Sequence, residues 1–175
     1  MRKLIISLNS YNWVKYCAGL IMCNSPEDFT IMIVKSDNSP ILDFPGLCPD
    51  SVLVQRRSDL FNIGKRLGVR KLNNLMYDEI DVSKLSAQLQ LQIAIGGVDE
   101  VYYQDDPTLQ SILLAINKEL GIEIFCYGMK DYSIAMQLDD IKYQEKLALT
   151  ELIVAAGKND DISGFEQIEY FKRMV

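Results

Sequence analysis

A chain of 175 residues, 49% hydrophobic and 24% charged, has the length and composition of one soluble globular domain spanning residues 1–175. Its net charge of −6 excludes broad nucleic-acid binding, which needs a surplus of Lys and Arg to neutralise phosphates. No apolar run reaches the roughly 18–20 residues that a bilayer requires, and Lys3–Leu8 is too short for the apolar core of a signal peptide, so no membrane association and a cytoplasmic location are expected.

The run Lys3–Leu8 predicts a parallel strand buried on both faces. A polar corner, Asn9-Ser10-Tyr11-Asn12, follows it. Trp13, Val14, Cys17, Leu20 and Ile21 then recur at three- and four-residue spacing, predicting an amphipathic helix to Met22. Phe29–Val34 is rich in β-branched residues and reads as a second strand. The proline-bearing stretch Lys35–Asp50 reads as a long loop, of the kind that often carries function.

Ser51–Leu67 predicts a helix closed by Gly68, with a weaker strand over Val69–Asn74. Basic pairs at Arg56-Arg57, Lys65-Arg66 and Arg70-Lys71 cluster around this helix and read as a solvated face. Val82–Ile95 predicts a helix burying Leu85, Leu89 and Ile93, stopped by Gly96-Gly97. Glu100–Tyr103 is a strand, Thr108–Leu120 a helix capped by Gly121, and Ile122–Tyr127 another strand. A helix from about Ile141 to Ala155 follows, with Asp139-Asp140 as its N-terminal cap. Gly164–Val175 carries Phe165, Ile168, Phe171 and Met174 at helical spacing and predicts a terminal helix packed back on the sheet.

This alternation specifies an α/β fold: a doubly wound, mostly parallel, Rossmann-like sheet with helices on both faces. Ligands in such folds bind beyond the C-terminal ends of the strands. That places Asn9–Asn12, Ser36–Asn38, Asp78–Asp81 and Gln104–Pro107 around one crevice. A dinucleotide site is disfavoured, because Asn9–Asn12 lacks the glycines that a phosphate turn needs.

Histidine is absent, and the four cysteines, Cys17, Cys23, Cys48 and Cys126, form no Cys-x-x-Cys pair. A structural zinc site is therefore not expected. Cys17, Cys23 and Cys126 fall in predicted core elements and are expected as buried free thiols. Ser7, Ser10 and Ser36 have no histidine to activate them.

The strand-to-helix corner, the Arg56-Arg57-Ser58-Asp59 segment ending in Leu67-Gly68-Val69, and Glu100–Leu109 together resemble the PIG-L/LmbE-like de-N-acetylases. Lys146-Leu147-Ala148-Leu149 is similar to a further family segment. In that family the corner carries a His-Pro-Asp-Asp-Glu motif and a later turn a His-x-Asp-His motif. Aligned in this way, Asn9 stands at the first metal histidine, Tyr11 and Asn12 at the two aspartates, and Trp13 at the glutamate. Asp106 and Leu109 stand at the two later histidines, and Arg56 at an arginine that borders the substrate pocket.

The resemblance implies a fold built for zinc-assisted amide hydrolysis, with an aspartate as base. It also implies that this chain has lost the ligands. The expectation is a catalytically inactive relative without catalytic residues, metal or cofactor. It would bind an unknown small molecule or a protein partner through Asn9, Tyr11, Asn12, Arg56, Asp105 and Asp106. Tyr102 and Tyr103 could join an aromatic pocket with Tyr11 and Trp13, although core packing suits Tyr102 and Trp13 better. Two alternatives stand beside it: a hydrolase holding a metal through Asp105, Asp106 and a further acid that the sequence does not place, and an unrelated flavodoxin-like or nucleotide-binding module meeting phosphate near Ser10 or Thr108. Oligomeric state is left open.

Overall fold

The computed structural model describes residues 1–35, 49–130, 132–155 and 165–175, without the side chains of residues 49–57 and 154–155. The elements run in the order β1 (Lys3–Ser7), α1 (Asn12–Met22), β2 (Phe29–Lys35), α2 (Pro49–Leu67), β3 (Lys71–Tyr77), α3 (Val82–Gly96) and β4 (Glu100–Gln104). Then come α4 (Pro107–Leu120), β5 (Glu123–Tyr127), β6 (Ile134–Gln137), α5 (Asp140–Ala155) and β7 (Ile168–Arg173). Most of the predicted Lys35–Asp50 loop lies outside the described residues.

One seven-stranded sheet has the order β3-β2-β1-β4-β5-β7-β6. The first five strands are parallel neighbours, whereas β7 runs antiparallel to both β5 and β6. The strand order reverses at β1, which lies between β2 and β4. Lys3–Ile6 faces Glu100–Tyr103 across that junction.

Side-chain alternation along the strands divides the core into two layers. Ile5, Ile31 and Ile33 point to one face and meet Trp13, Val14 and Cys17 of α1, Leu60 and Ile63 of α2, and Leu149 and Ile153 of α5. Leu4, Ile6, Met32 and Val34 point to the other face, against Leu85, Leu89 and Ile93 of α3 and Leu109, Ile112 and Leu113 of α4. Fully burying a side chain of this size contributes about 1.5–3 kcal/mol, so strands buried on both faces anchor the molecule. Gly97 and Gly121 end α3 and α4 in the left-handed conformation, at φ 58° and 64°, which a side chain would resist.

The last segment departs from the sequence expectation. Instead of a terminal helix packed on the sheet, Ile168–Arg173 form a strand within it, between β5 and β6. Two of its residues, Glu169 and Phe171, point inward with period two. A carboxylate at one of those inward positions hides the alternation that marks a strand. β6 was not anticipated either, since an exposed edge strand carries no apolar alternation.

Glu169 is buried because it has partners. Its carboxylate accepts from the Lys146 ammonium at 2.6 Å and from the backbone N–H groups of Gly19 and Leu20 at 2.7 and 2.8 Å. Both side chains of the ion pair are fully shielded from solvent. Burial pushes the Glu169 carboxyl above the usual range, while Lys146 and the two N–H groups pull the other way.

Cys17 and Cys126 are buried free thiols, whereas Cys23 is exposed. The expectation for Cys23 fails because α1 stops at Met22, and Cys23 caps its C-terminal end at the surface. Cys48 lies outside the described residues. Among the described residues no helix is long and apolar enough to cross a membrane.

Candidate functional site

The C-terminal ends of β1, β2, β4 and β5 form a row, and hydrogen bonds tie each end to the next. The Lys35 N–H donates to the Leu8 carbonyl at 3.0 Å, and the Asp105 N–H to the Tyr127 carbonyl at 2.8 Å. Between β1 and β4, where parallel sheets of this class usually open a crevice, the link is a side chain. Gln104 Oε1 accepts from the Leu8 N–H at 3.0 Å and lies 3.3 Å from the Ser7 hydroxyl. That hydroxyl donates to the Asn9 carbonyl at 2.7 Å. A neutral amide thus bridges the reversal point.

The corner after β1 is held just as firmly. Trp13 is completely buried, and its indole N–H donates to the Ser10 carbonyl at 2.8 Å. Tyr11 is packed into the core at 1% exposure, and its carbonyl accepts from the Val14 N–H at 3.0 Å. Asn9 is exposed, and Asn12 is half-buried at the start of α1. The expected aromatic group is core: Tyr102 and Tyr103 are buried as well, Tyr102 stacking on Phe125 at 4.9 Å.

Asp106 is the N-cap of α4, its carboxylate accepting from the N–H groups of Thr108 and Leu109 at 2.9 and 3.0 Å. This follows from an Asp-Pro-Thr sequence in which the aspartate precedes a proline at the first helical position. Replacing Asp106 by alanine is expected to cost about 1 kcal/mol of stability, read as a lower thermal midpoint. Asp105, one residue earlier, is exposed. Leu109 is completely buried against the α4 face of the sheet. Arg56 lies on α2, with its side chain outside the described residues. Asp139 caps α5 through the Lys142 N–H at 2.8 Å, as the sequence indicates.

A second polar group at this end was not anticipated. Cys126 Sγ lies 3.3 Å from the Tyr132 hydroxyl, and the Tyr103 hydroxyl is buried beside it. Tyr103 and Cys126 are register partners on neighbouring strands. Burial pushes the ionisation of all three groups upward. Neither Cys126 nor Cys17, whose thiol is also raised by burial, is poised as a thiolate nucleophile.

Comparison of the sequence with protein-family models and with curated proteins finds no match. The architecture is matched by solved structures. N,N'-diacetylchitobiose deacetylase from Pyrococcus horikoshii, solved with its inhibitor MPG, superposes with a TM-score of 0.78 at 15% identity, covering 99% of this chain and 83% of that one. A deacetylase of the teicoplanin biosynthesis pathway, solved with teicoplanin, gives 0.68 at 11% identity over 99% and 98% of the two chains. This is a de-N-acetylase fold.

The same de-N-acetylase fold is similar to GalB, the 4-carboxy-2-hydroxymuconate hydratase from Pseudomonas putida KT2440, with a TM-score of 0.69 at 13% identity over 100% and 97% of the chains. The architecture therefore does not fix one reaction, and the residues must decide. At the positions that the family resemblance aligns with metal ligands, the chain does not fit zinc. Asn9 offers a neutral amide, Leu109 no donor at all, and the Asp106 carboxylate is engaged by two backbone N–H groups. Among the described residues no three His, Cys, Asp or Glu side chains converge as a metal cluster.

Proposed function

We propose that this chain is a de-N-acetylase scaffold without hydrolytic chemistry, acting by binding a small molecule or a protein. The observation that carries this reading is the Gln104 bridge across the strand-order reversal. A hydrolytic centre there needs an activated water and groups to polarise an acyl oxygen. Gln104 Oε1 is instead taken by the Leu8 N–H, the Ser7 hydroxyl beside it donates to the Asn9 carbonyl, and a neutral amide neither takes up nor delivers the proton. Asn9, Asn12 and Asp105 remain near the rim as hydrogen-bonding groups for a bound partner, with Tyr11 and Asp106 supporting the corner and helix behind them.

Incubating the purified protein and zinc with N,N'-diacetylchitobiose is expected to release no acetate above the protein-free control. Zinc-dependent acetate release that a chelator abolishes would overturn the reading.

A further inference from the structure

At the other end of the sheet, a cavity of about 320 Å³ lies between the starts of β1 and β3 and the tail of α3. This is within the size range of small-ligand pockets. Its charge runs against the rest of the chain. Arg2, Lys3, Arg70 and Lys71 line it, with Asp28 as the one acidic lining residue, in a protein of net charge −6.

Two of the cations have local duties. Lys3 is 3.1 Å from Glu100, and the Arg2 guanidinium donates to the Gly96 carbonyl at 2.6 Å. Asp28 faces the Met1 ammonium at 3.5 Å. Arg70 and Lys71 are different: among the described residues neither makes an ion pair or a side-chain hydrogen bond, and both are exposed. Their backbone is nevertheless fixed. The Arg70 N–H donates to the Phe29 carbonyl at 3.0 Å, and Lys71 is paired with Thr30 in the ladder. Two positive charges without a partner among the described residues thus line the cavity at the start of β3, and an anion held there would be attracted by both.

The opposite wall is apolar and amide-bearing. Leu91 and Ile95, one helical turn apart on α3, remain 57% and 76% exposed. Such exposure costs about 25 cal/mol for each Å² of apolar surface left in water, so a flat apolar body laid over them would be favoured. Gln88 lines the same wall, and its amide makes no hydrogen bond among the described residues. An amide of this kind can donate to and accept from the edge of a nucleobase.

We propose that this cavity binds a nucleoside phosphate, with phosphate on Arg70 and Lys71 and the base over Leu91 and Ile95 near Gln88. A guanidinium fork matches phosphate geometry, and an ammonium supplies a compact charge beside it. The site is separate from the Gln104 end of the sheet and does not depend on the proposed loss of hydrolysis.

Isothermal titration calorimetry with ADP, adenosine and inorganic pyrophosphate tests the proposal. ADP is expected to bind at one site per chain and more tightly than either fragment. The R70E/K71E double variant should weaken ADP binding at least about tenfold, since it reverses two charges facing the phosphates. Ile95→Glu should weaken ADP but leave pyrophosphate unchanged. All these positions are exposed, and circular dichroism and thermal midpoints matching the unsubstituted protein are expected for the variants. Failure of ADP to bind would overturn the proposal, as would binding indifferent to the double substitution. Pyrophosphate binding as tightly as ADP would overturn the role of the apolar wall.

Discussion

Replacing Lys146 by methionine is expected to lower the unfolding free energy by about 3–5 kcal/mol, measured by urea denaturation. Methionine preserves most of the volume, so the loss reports charge rather than packing. The variant leaves the Glu169 carboxylate buried with the Gly19 and Leu20 N–H groups but without a countercharge. It also removes the donor to the Glu166 carbonyl at 3.2 Å. Adding Glu169→Gln to Lys146→Met should cost much less than the two single losses combined, because the first substitution already removes the shared interaction. A loss below about 1 kcal/mol for Lys146→Met is the value of an exposed pair and would mean that Lys146 is solvated.

Gly19→Ala gives the second large effect, and its sign is the informative part. A glycine inside an ordinary helix gains about 1 kcal/mol on becoming alanine. Here a net loss of about 1–3 kcal/mol is expected instead, because the core has no room for the methyl group. A Cβ at Gly19 would lie 2.5 Å from Leu138 Cδ2 and 2.9 Å from Glu169 Cδ. Leu138 is buried at 1% exposure, and Glu169 is fixed by its three donors, so neither can retreat freely. A chemical-denaturation midpoint above that of the unsubstituted protein would contradict this close approach of β7 to α1.

The elements most legible in the sequence are those whose cause is local. β1 and β2 are short apolar runs, α3 shows its Leu85–Leu89–Ile93 stripe, and glycines mark the ends of α3 and α4. The Asp106 and Asp139 caps are local too, because the accepting side chain sits two or three residues from the donating N–H. What stayed hidden depends on distant partners. Gln104 reads as an unremarkable polar residue until β4 is known to lie beside β1, which brings it to Ser7 across 97 positions. Glu169 looks like a surface acid, and only Lys146 and the Gly19 backbone 150 residues away explain why it faces inward. The resemblance to the deacetylase fold was legible from the order of the corner, the arginine-bearing helix and the later turn, although no histidine stands at the aligned positions.

The buried ion pair also decides how the antiparallel edge must assemble. Sliding β7 by one residue against β5 would send every side chain of that strand to the opposite face. Ile168 and Tyr170 would then point towards α1, and Glu169 would face away from Lys146, stranding an ammonium inside the protein. Such a charge costs several kcal/mol when left alone. Apolar residues at both positions would tolerate the slip far better. The pair therefore works as a registration key, rejecting misaligned edge strands that hydrophobic packing alone would let pass.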